Sequence, residues 1–271
     1  MIYELKQPSS RVLAIDCLFP EALAILAGNN PGWVFVDDLY TQRAALVWAE
    51  GIQGFYLVGD ASRTDFLDEL AAHTDHVLGP RLHTLGVTWF EISGDENWER
   101  TIEDVFGERN LQSSQQWVYT LEPAEHKSVA QLKMADNCKL QKVDQHLLAH
   151  LSVRNKEFLL SKLIQFWSSV DTFLNAGLGY ALVDGEEIAS LCFSGFVAGN
   201  IHVIDIETEA LYRRRGHAET VARAFVAACI EKHFQPYWDC MAENRASARL
   251  AEKLGFTRTR VYTLYSFPLQ S

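Results

Sequence analysis

Two hydrophobic periods alternate along the chain. Near its start, Trp33–Val36, Ala45–Trp48 and Phe55–Val58 are short runs of aromatic, β-branched and aliphatic residues separated by turn-prone pairs such as Asp37-Asp38 and Glu50-Gly51. They predict a small antiparallel sheet. From Arg63 to Gly79 the apolar positions Phe66, Leu67, Leu70, Val77 and Leu78 take helical spacing, and Val87–Ile92 returns to strand character. Asp95–Val105 predicts a second helix ending near Gly107, and Gln115–Leu121 a closing strand.

Pro123–Asn137 is polar, lacks an apolar period and separates segments of similar size. The domain boundary is therefore placed inside it, between an N-terminal α/β domain over 1–125 and a C-terminal one over 136–271. The second half predicts a strand at Lys139–Val143 and two helical stretches between Gln145 and Asn175. Three strands follow, Tyr180–Val183, Ile188–Val197 and Ile201–Glu207, joined by the tight turns Asp184-Gly185 and Gly199-Asn200. His217–His233 carries Ala218, Val221, Ala222, Phe225 and Cys229 on one helical stripe. A strand at Pro236–Cys240, a helix capped by Asn244 and stopped at Gly255, and a last strand at Arg260–Phe267 complete this half. The first half repeats the order hairpin strands, helix, strand, helix, strand, which raises internal duplication as a hypothesis.

With 48% hydrophobic and 22% charged residues in 271, the chain has apolar material for real cores and none of the bias of disordered or fibrous sequences. Its start lacks the basic and apolar regions of a signal peptide, and no uncharged stretch reaches membrane-spanning length, so a cytoplasmic location is expected. The five cysteines are widely spaced with no Cys-x-x-Cys pair, as expected of reduced, mostly buried thiols. His73, Asp75, His76 and His83 fit no ligand spacing and read as a solvated helix face, so no metal is expected. A net charge of -11 speaks against nucleic acid and anionic membranes and favours a cationic small molecule. The oligomeric state is left open, a homodimer included.

The chemistry concentrates where the strand Ile201–Glu207 runs through Arg213-Arg214-Arg215-Gly216-His217-Ala218 into a helix. Gly216 lets backbone N–H groups approach an anion, Ala218 keeps the first turn narrow, and the helix start adds its dipole, a combination suited to a pyrophosphate. The plainer account, three arginines on a solvated surface, is favoured for the loop alone. Weight comes from Asn244-Arg-Ala-Ser247 and Lys253-Leu-Gly255-Phe256 after the next strand. Together these elements resemble the GCN5-related N-acetyltransferase (GNAT) superfamily. Cys192-Phe-Ser, Ile206-Glu-Thr and Trp238-Asp-Cys240 are similar to the group named after zwittermicin A resistance acetyltransferases.

The resemblance implies a mixed sheet splayed between its fourth and fifth strands, with acetyl-CoA in the gap. It places Arg213, Arg214, Arg215, Gly216, His217 and Ala218 at the pyrophosphate, Ile206 and Thr208 along the pantetheine arm, and Asn244 and Ser247 beside that arm. The N-terminal half becomes a smaller, degenerate copy without a cofactor site, because Gly59-Asp-Ala-Ser62 offers one glycine and only Arg63 as a cation. It is expected to shape the acceptor cleft. An amine acceptor is protonated at neutral pH, so the site needs a base. Glu207 is the candidate, with Asp205 two residues earlier on the same face; the alternative is that both carboxylates serve ion pairs. Where the family often has a tyrosine that protonates the departing thiolate, this chain has Ala251, leaving Tyr262 or Tyr265, Cys240 or water. The expected activity is acetyl transfer to a primary amine of a small molecule of antibiotic or polyamine type. A catalytically inactive acyl-CoA sensor is the alternative. A general nucleotide-binding protein finds no fingerprint here.

Overall fold

The computed structural model describes residues 1–6, 17–122, 137–150 and 152–269. Of the expected boundary segment only Asn137 is among them. The chain divides into two compact units, Met1–Trp117 with the segment from Val261 onward, and Val118–Arg260. No helix of the described residues is long and apolar enough to cross a membrane.

The first unit contains β1 (Tyr3–Glu4), α1 (Pro20–Leu26), β2 (Gly32–Val36), β3 (Ala44–Ala49), β4 (Gly54–Gly59), α2 (Thr64–His73), α3 (Gly79–Thr84), β5 (Trp89–Ser93) and α4 (Glu96–Phe106), and leads into β6 (Gln112–Thr120). β2, β3 and β4 form an antiparallel meander, and β5 joins β4 in parallel through two residue pairs, Phe55↔Ile92 and Tyr56↔Ser93. The helix expected over 63–79 is divided. A wide π-type turn at Thr74–Leu78 connects α2 to α3, where Pro80 has no N–H to continue the ladder. α1 went unpredicted although Pro20 opens it in the position that best tolerates proline. Trp98 is core, Trp117 half-buried and Trp89 exposed.

The second unit continues with β7 (Cys138–Lys142), α5 (Gln145–Ala149), α6 (Lys156–Phe166), α7 (Val170–Ala176), β8 (Gly179–Asp184), β9 (Glu187–Ala198), β10 (Ile201–Thr208), α8 (His217–Glu231), β11 (Gln235–Met241) and α9 (Arg245–Lys253), before β12 (Thr257–Pro268). Three helices occupy the stretch where two were expected, because Asp144 caps α5 and a Ser169–Thr172 capping box starts α7 separately. β7 to β10 are antiparallel neighbours, and β11 joins β10 in parallel, which makes the sheet mixed. Side chains alternate across β9. Phe193 meets Phe166 of α6 and Phe173 of α7, whereas the α8 stripe of Val221, Ala222, Phe225 and Cys229 is buried against the sheet. Each large apolar side chain buried in this way stabilises the layering by roughly 1.5–3 kcal/mol.

The last strand departs from the linear reading, which assigned Arg260–Phe267 to the second half. β12 runs past Arg260 and pairs antiparallel with β5 of the first unit, from Leu264↔Ser93 to Pro268↔Trp89. Tyr265 and Phe267 thereby enter that unit's core, where Phe267 stacks on Phe90 at 5.1 Å.

Candidate functional site

β10 and β11 pair at only three positions, Ile201↔Gln235, His202↔Pro236 and Val203↔Tyr237. A bulge then interrupts β10 between Val203 and Ile204. Beyond it the strands part over a cavity of about 930 Å³, lined by Ile204–Thr208 on one side, Trp238–Cys240 on the other, and the starts of α8 and α9. Bulges re-aim side chains and end pairing, and here the edge of β10 facing β11 is left without a ladder.

At one end of the cavity, Gly216 is the N-cap of α8 with φ +83° and no side-chain cap. A Cβ on Gly216 would meet nothing within 4 Å, so glycine serves the left-handed backbone there rather than space. The first-turn amides of α8 are thus left for an anion. Arg214 also has positive φ, +65°, a conformation that costs a non-glycine residue about 1–2 kcal/mol and clusters at ligand-binding turns. The three arginines differ in their engagements. Arg213 donates through Nε to the Thr208 carbonyl at 3.1 Å and lies 3.4 Å from Glu207, which ties the loop to β10. Arg215 is 3.8 Å from Asp184, outside the cavity lining, and lies over the Tyr212 ring. Arg214 lines the cavity and is exposed.

Ala218 and His217 also contribute to the wall, but the His217 ring is buried, with Nε2 3.9 Å from Asp184 Oδ2 and no hydrogen-bond partner. Burial holds the His217 imidazole below its usual pKa, against the opposing pull of Asp184.

At α9, Asn244 Oδ1 accepts from the Ser247 N–H at 3.1 Å, as an N-cap does, so a ligand would meet its Nδ2 donor. The Ser247 hydroxyl accepts from Trp238 Nε1 at 2.9 Å. Ala251 is fully buried and is not part of the cavity wall. Gly255, with φ +94°, ends α9, and the Phe256 N–H returns to the Ala251 carbonyl.

Asp205, Ile206, Glu207 and Thr208 all border the opening. Glu207 lies 3.4 Å from Lys162 of α6, a partner no sequence signal announced, and 3.4 Å from Arg213. Asp205 has Lys162 nearby but is held mainly by its half-buried position. Burial pushes its carboxyl up to about 6, Lys162 pulling it down and Glu207 adding to the rise. Cys240 also faces the cavity, and burial raises its thiol.

Tyr265 is placed elsewhere. Its hydroxyl donates to Glu103 at 3.0 Å in the first unit, where burial and that bond push it up to about 12. It is not among the residues that line the cavity. Tyr262 is likewise in the first unit, edge-on to Phe19. At the corresponding turn of that unit, Arg63 is committed to Asp37 at 2.7 Å, and Asp60 adds a carboxylate. The histidine group weighed as a metal site does not assemble either: His73 packs against Phe35, and Asp75 pairs with Arg109.

The profile of a family described as GNAT acetyltransferase matches residues 21–265. The chain is 29% identical over 244 residues to the uncharacterized N-acetyltransferase YdfB of Bacillus subtilis (strain 168), covering 89% of this chain and 88% of that protein. A GCN5-related N-acetyltransferase-like protein from Streptococcus suis 89/1591 superimposes with a TM-score of 0.59 at 22% identity, over 87% of this chain and 88% of that one. A tandem GNAT protein from the clavulanic acid biosynthesis pathway gives 0.58 at 8% identity, over 92% and 88%. At such identities the two structures speak for the fold, in its tandem form in the second case. The zwittermicin A resistance group is not singled out by these similarities.

Proposed function

Because the chain belongs to the GNAT acetyltransferase family, we propose that it transfers the acetyl group of acetyl-CoA to a primary amine of a small cationic molecule. The observation that carries this reading is the parting of β10 and β11 beside a glycine-capped helix start, with two carboxylates on the bordering strand. The uncapped amides of α8 and the Arg214 guanidinium receive the pyrophosphate, and Arg213 holds the loop against β10. Main-chain groups of Ile206 and Thr208, on the strand edge beyond the last β11 pair, receive the amide-bearing arm as an added strand would be received. Asn244 and Ser247 form the facing wall. The first unit is assigned no cofactor, since its turn presents Asp60 and an Arg63 already committed to Asp37.

On the acceptor side, Glu207 and Asp205 attract the ammonium group. Asp205, whose proton affinity sits near neutrality, is the better match for removing a proton, directly or through water; Glu207, held by Lys162 and Arg213, fixes the charge that orients the amine. Bound acetyl-CoA supplies a thioester carbonyl for the free amine to attack.

An acyl-CoA sensor is the second reading, and Ala251 in place of a hydroxyl donor favours it. The energetic deficit is small. An alkyl thiol of pKa about 8.5 leaves as thiolate at pH 7 for roughly 2 kcal/mol, so a dedicated acid is dispensable. The Ser247 hydroxyl and the protonated Cys240 thiol remain in the cavity wall.

Incubation with acetyl-CoA and a panel of polyamines, aminoglycosides, amino acids and peptides, with free thiol as the readout, tests both. Amine-dependent thiol release that collapses in Asp205→Asn supports the transferase; tight binding of acetyl-CoA without turnover across the panel supports the sensor. Equal calorimetric affinity for CoA and ATP would overturn the cofactor assignment.

A further inference from the structure

We propose that Cys138, Asp184 and His217 form a binding site for a thiophilic divalent cation, best matched by Zn²⁺, which ties the start of α8 to the β7–β8 strand pair. Cys138 opens β7 and lies directly opposite Asp184, the last residue of β8, while His217 is the first residue of α8. One sulfur, one carboxylate oxygen and one ring nitrogen lie within 4.8 Å of one another. The three positions are remote in sequence, which is why no ligand spacing announces them.

The second, independent observation is the imidazole itself. His217 is 9% exposed, and its Nε2 has no hydrogen-bond partner; the nearest Asp184 oxygen stands at 3.9 Å, too far for one. A buried ring nitrogen that finds no donor or acceptor calls for a ligand. The donor set is that of zinc sites with three protein ligands and a fourth position for water. Tetrahedral zinc, with ligands at about 2.0–2.3 Å, holds its donor atoms roughly 3.3–3.6 Å apart, so closure around the ion requires side-chain shifts of about 1 Å. Asn137 Nδ2 donates to Asp184 Oδ1, which leaves Oδ2 for the metal and fixes the carboxylate as an outer partner does. A thiolate and a carboxylate together balance the charge of the ion, with the thiol proton lost to solvent on binding. The cation would also displace Arg215, now 3.8 Å from Oδ2, and free its guanidinium.

The test uses the full chain, stripped of metal and kept reduced with a non-thiol reductant, titrated with Co²⁺ and then Zn²⁺. One equivalent of Co²⁺ should give the visible bands of a tetrahedral ion and a thiolate charge-transfer band in the near ultraviolet, both abolished by Zn²⁺. Cys138→Ser should remove the charge-transfer band. Asp184→Asn, which preserves shape, should weaken zinc binding by about a hundredfold or more, at or beyond the ~10–100-fold typical of losing an outer partner. Cys17→Ser should change neither. Circular dichroism of each variant identifies a misfolded protein, and Asp184→Asn decides if Cys138→Ser does not fold. Absence of saturable binding, an octahedral spectrum without a sulfur band, or a spectrum unchanged in Cys138→Ser would overturn the site.

Discussion

In the proposed reaction, Asp205 is where stability and activity pull in opposite directions. Its carboxyl keeps a proton in the folded chain up to about pH 6 against 3.8 in its ordinary state, so the folded form binds more protons between these values and stability falls as pH rises through them. The ionised group at pH 7 therefore costs on the order of 1–3 kcal/mol of stability. Asp205→Asn should raise the thermal midpoint at pH 7 while lowering kcat by about 10²–10⁴-fold, and the acid limb of kcat/KM near pH 6 should disappear. A variant that melts lower and loses activity in proportion would argue for a structural role only. His202 behaves in the opposite sense. It is 1% exposed, its Nδ1 lies 2.8 Å from the Ser194 hydroxyl, and burial lowers its pKa from 6.5 to about 4. The unfolded chain takes up the proton first, so stability is intact above pH 6.5 and declines as pH falls towards 4, by up to ~3 kcal/mol. His202→Gln, which keeps a group for Ser194, should flatten that decline in urea titrations at pH 4.5 and 7. Sequence marked Asp205 and Glu207 by position on a strand, but their unequal surroundings depend on Lys162 and on burial, which neither residue's neighbours in sequence reveal.

At the scale of elements, the strands that border the cavity are legible as strands and illegible as a gap. Ile201–Thr208 and Gln235–Met241 carry ordinary strand patterns, and nothing in the alternation shows that pairing stops after three residues at a bulge. Gly216 and Asn244 were easier to read, because each acts through local backbone geometry: a positive φ in one case, a cap in the other. The Asn244 side chain serves α9 and the cavity wall together, so its removal should be felt twice. Asn244→Ala is expected to cost about 0.5–2 kcal/mol of folding stability and to weaken CoA binding measured by calorimetry. Asn244→Ser retains a capping oxygen and should recover most of the stability while CoA affinity stays reduced, since the Nδ2 donor is gone. Recovery of both would show that the cap alone matters.

For the whole molecule, the order of elements along the chain suggests two domains and gives the last strand to the second, whereas the structure divides into two compact units and gives that strand to the first. Both halves carry the sequence strand, strand, strand, helix, strand, helix, strand, so the closing strand of the second half reads as its own; a hydrophobic pattern specifies a buried face and leaves the partner strand open. In the structure, five residue pairs fasten β12 to β5, and Phe267, 1% exposed, stacks between Phe90 and Phe106 at 5.1 Å from each. The first unit therefore depends on the last residues of the chain. Phe267→Ala should destabilise that unit by about 3–5 kcal/mol through lost burial and a residual cavity. A chain ending at Arg260 goes further, since it strips β5 of a neighbour and opens the aromatic core. The second unit, Val118–Arg260, keeps every residue that lines the cavity between β10 and β11. Hydrogen exchange on the truncated chain should show protection lost across β4, β5 and α4 and retained across β8 to β10. Uniform loss in both units would mean that they fold as one cooperative body, and the division into two compact units would then have no counterpart in stability.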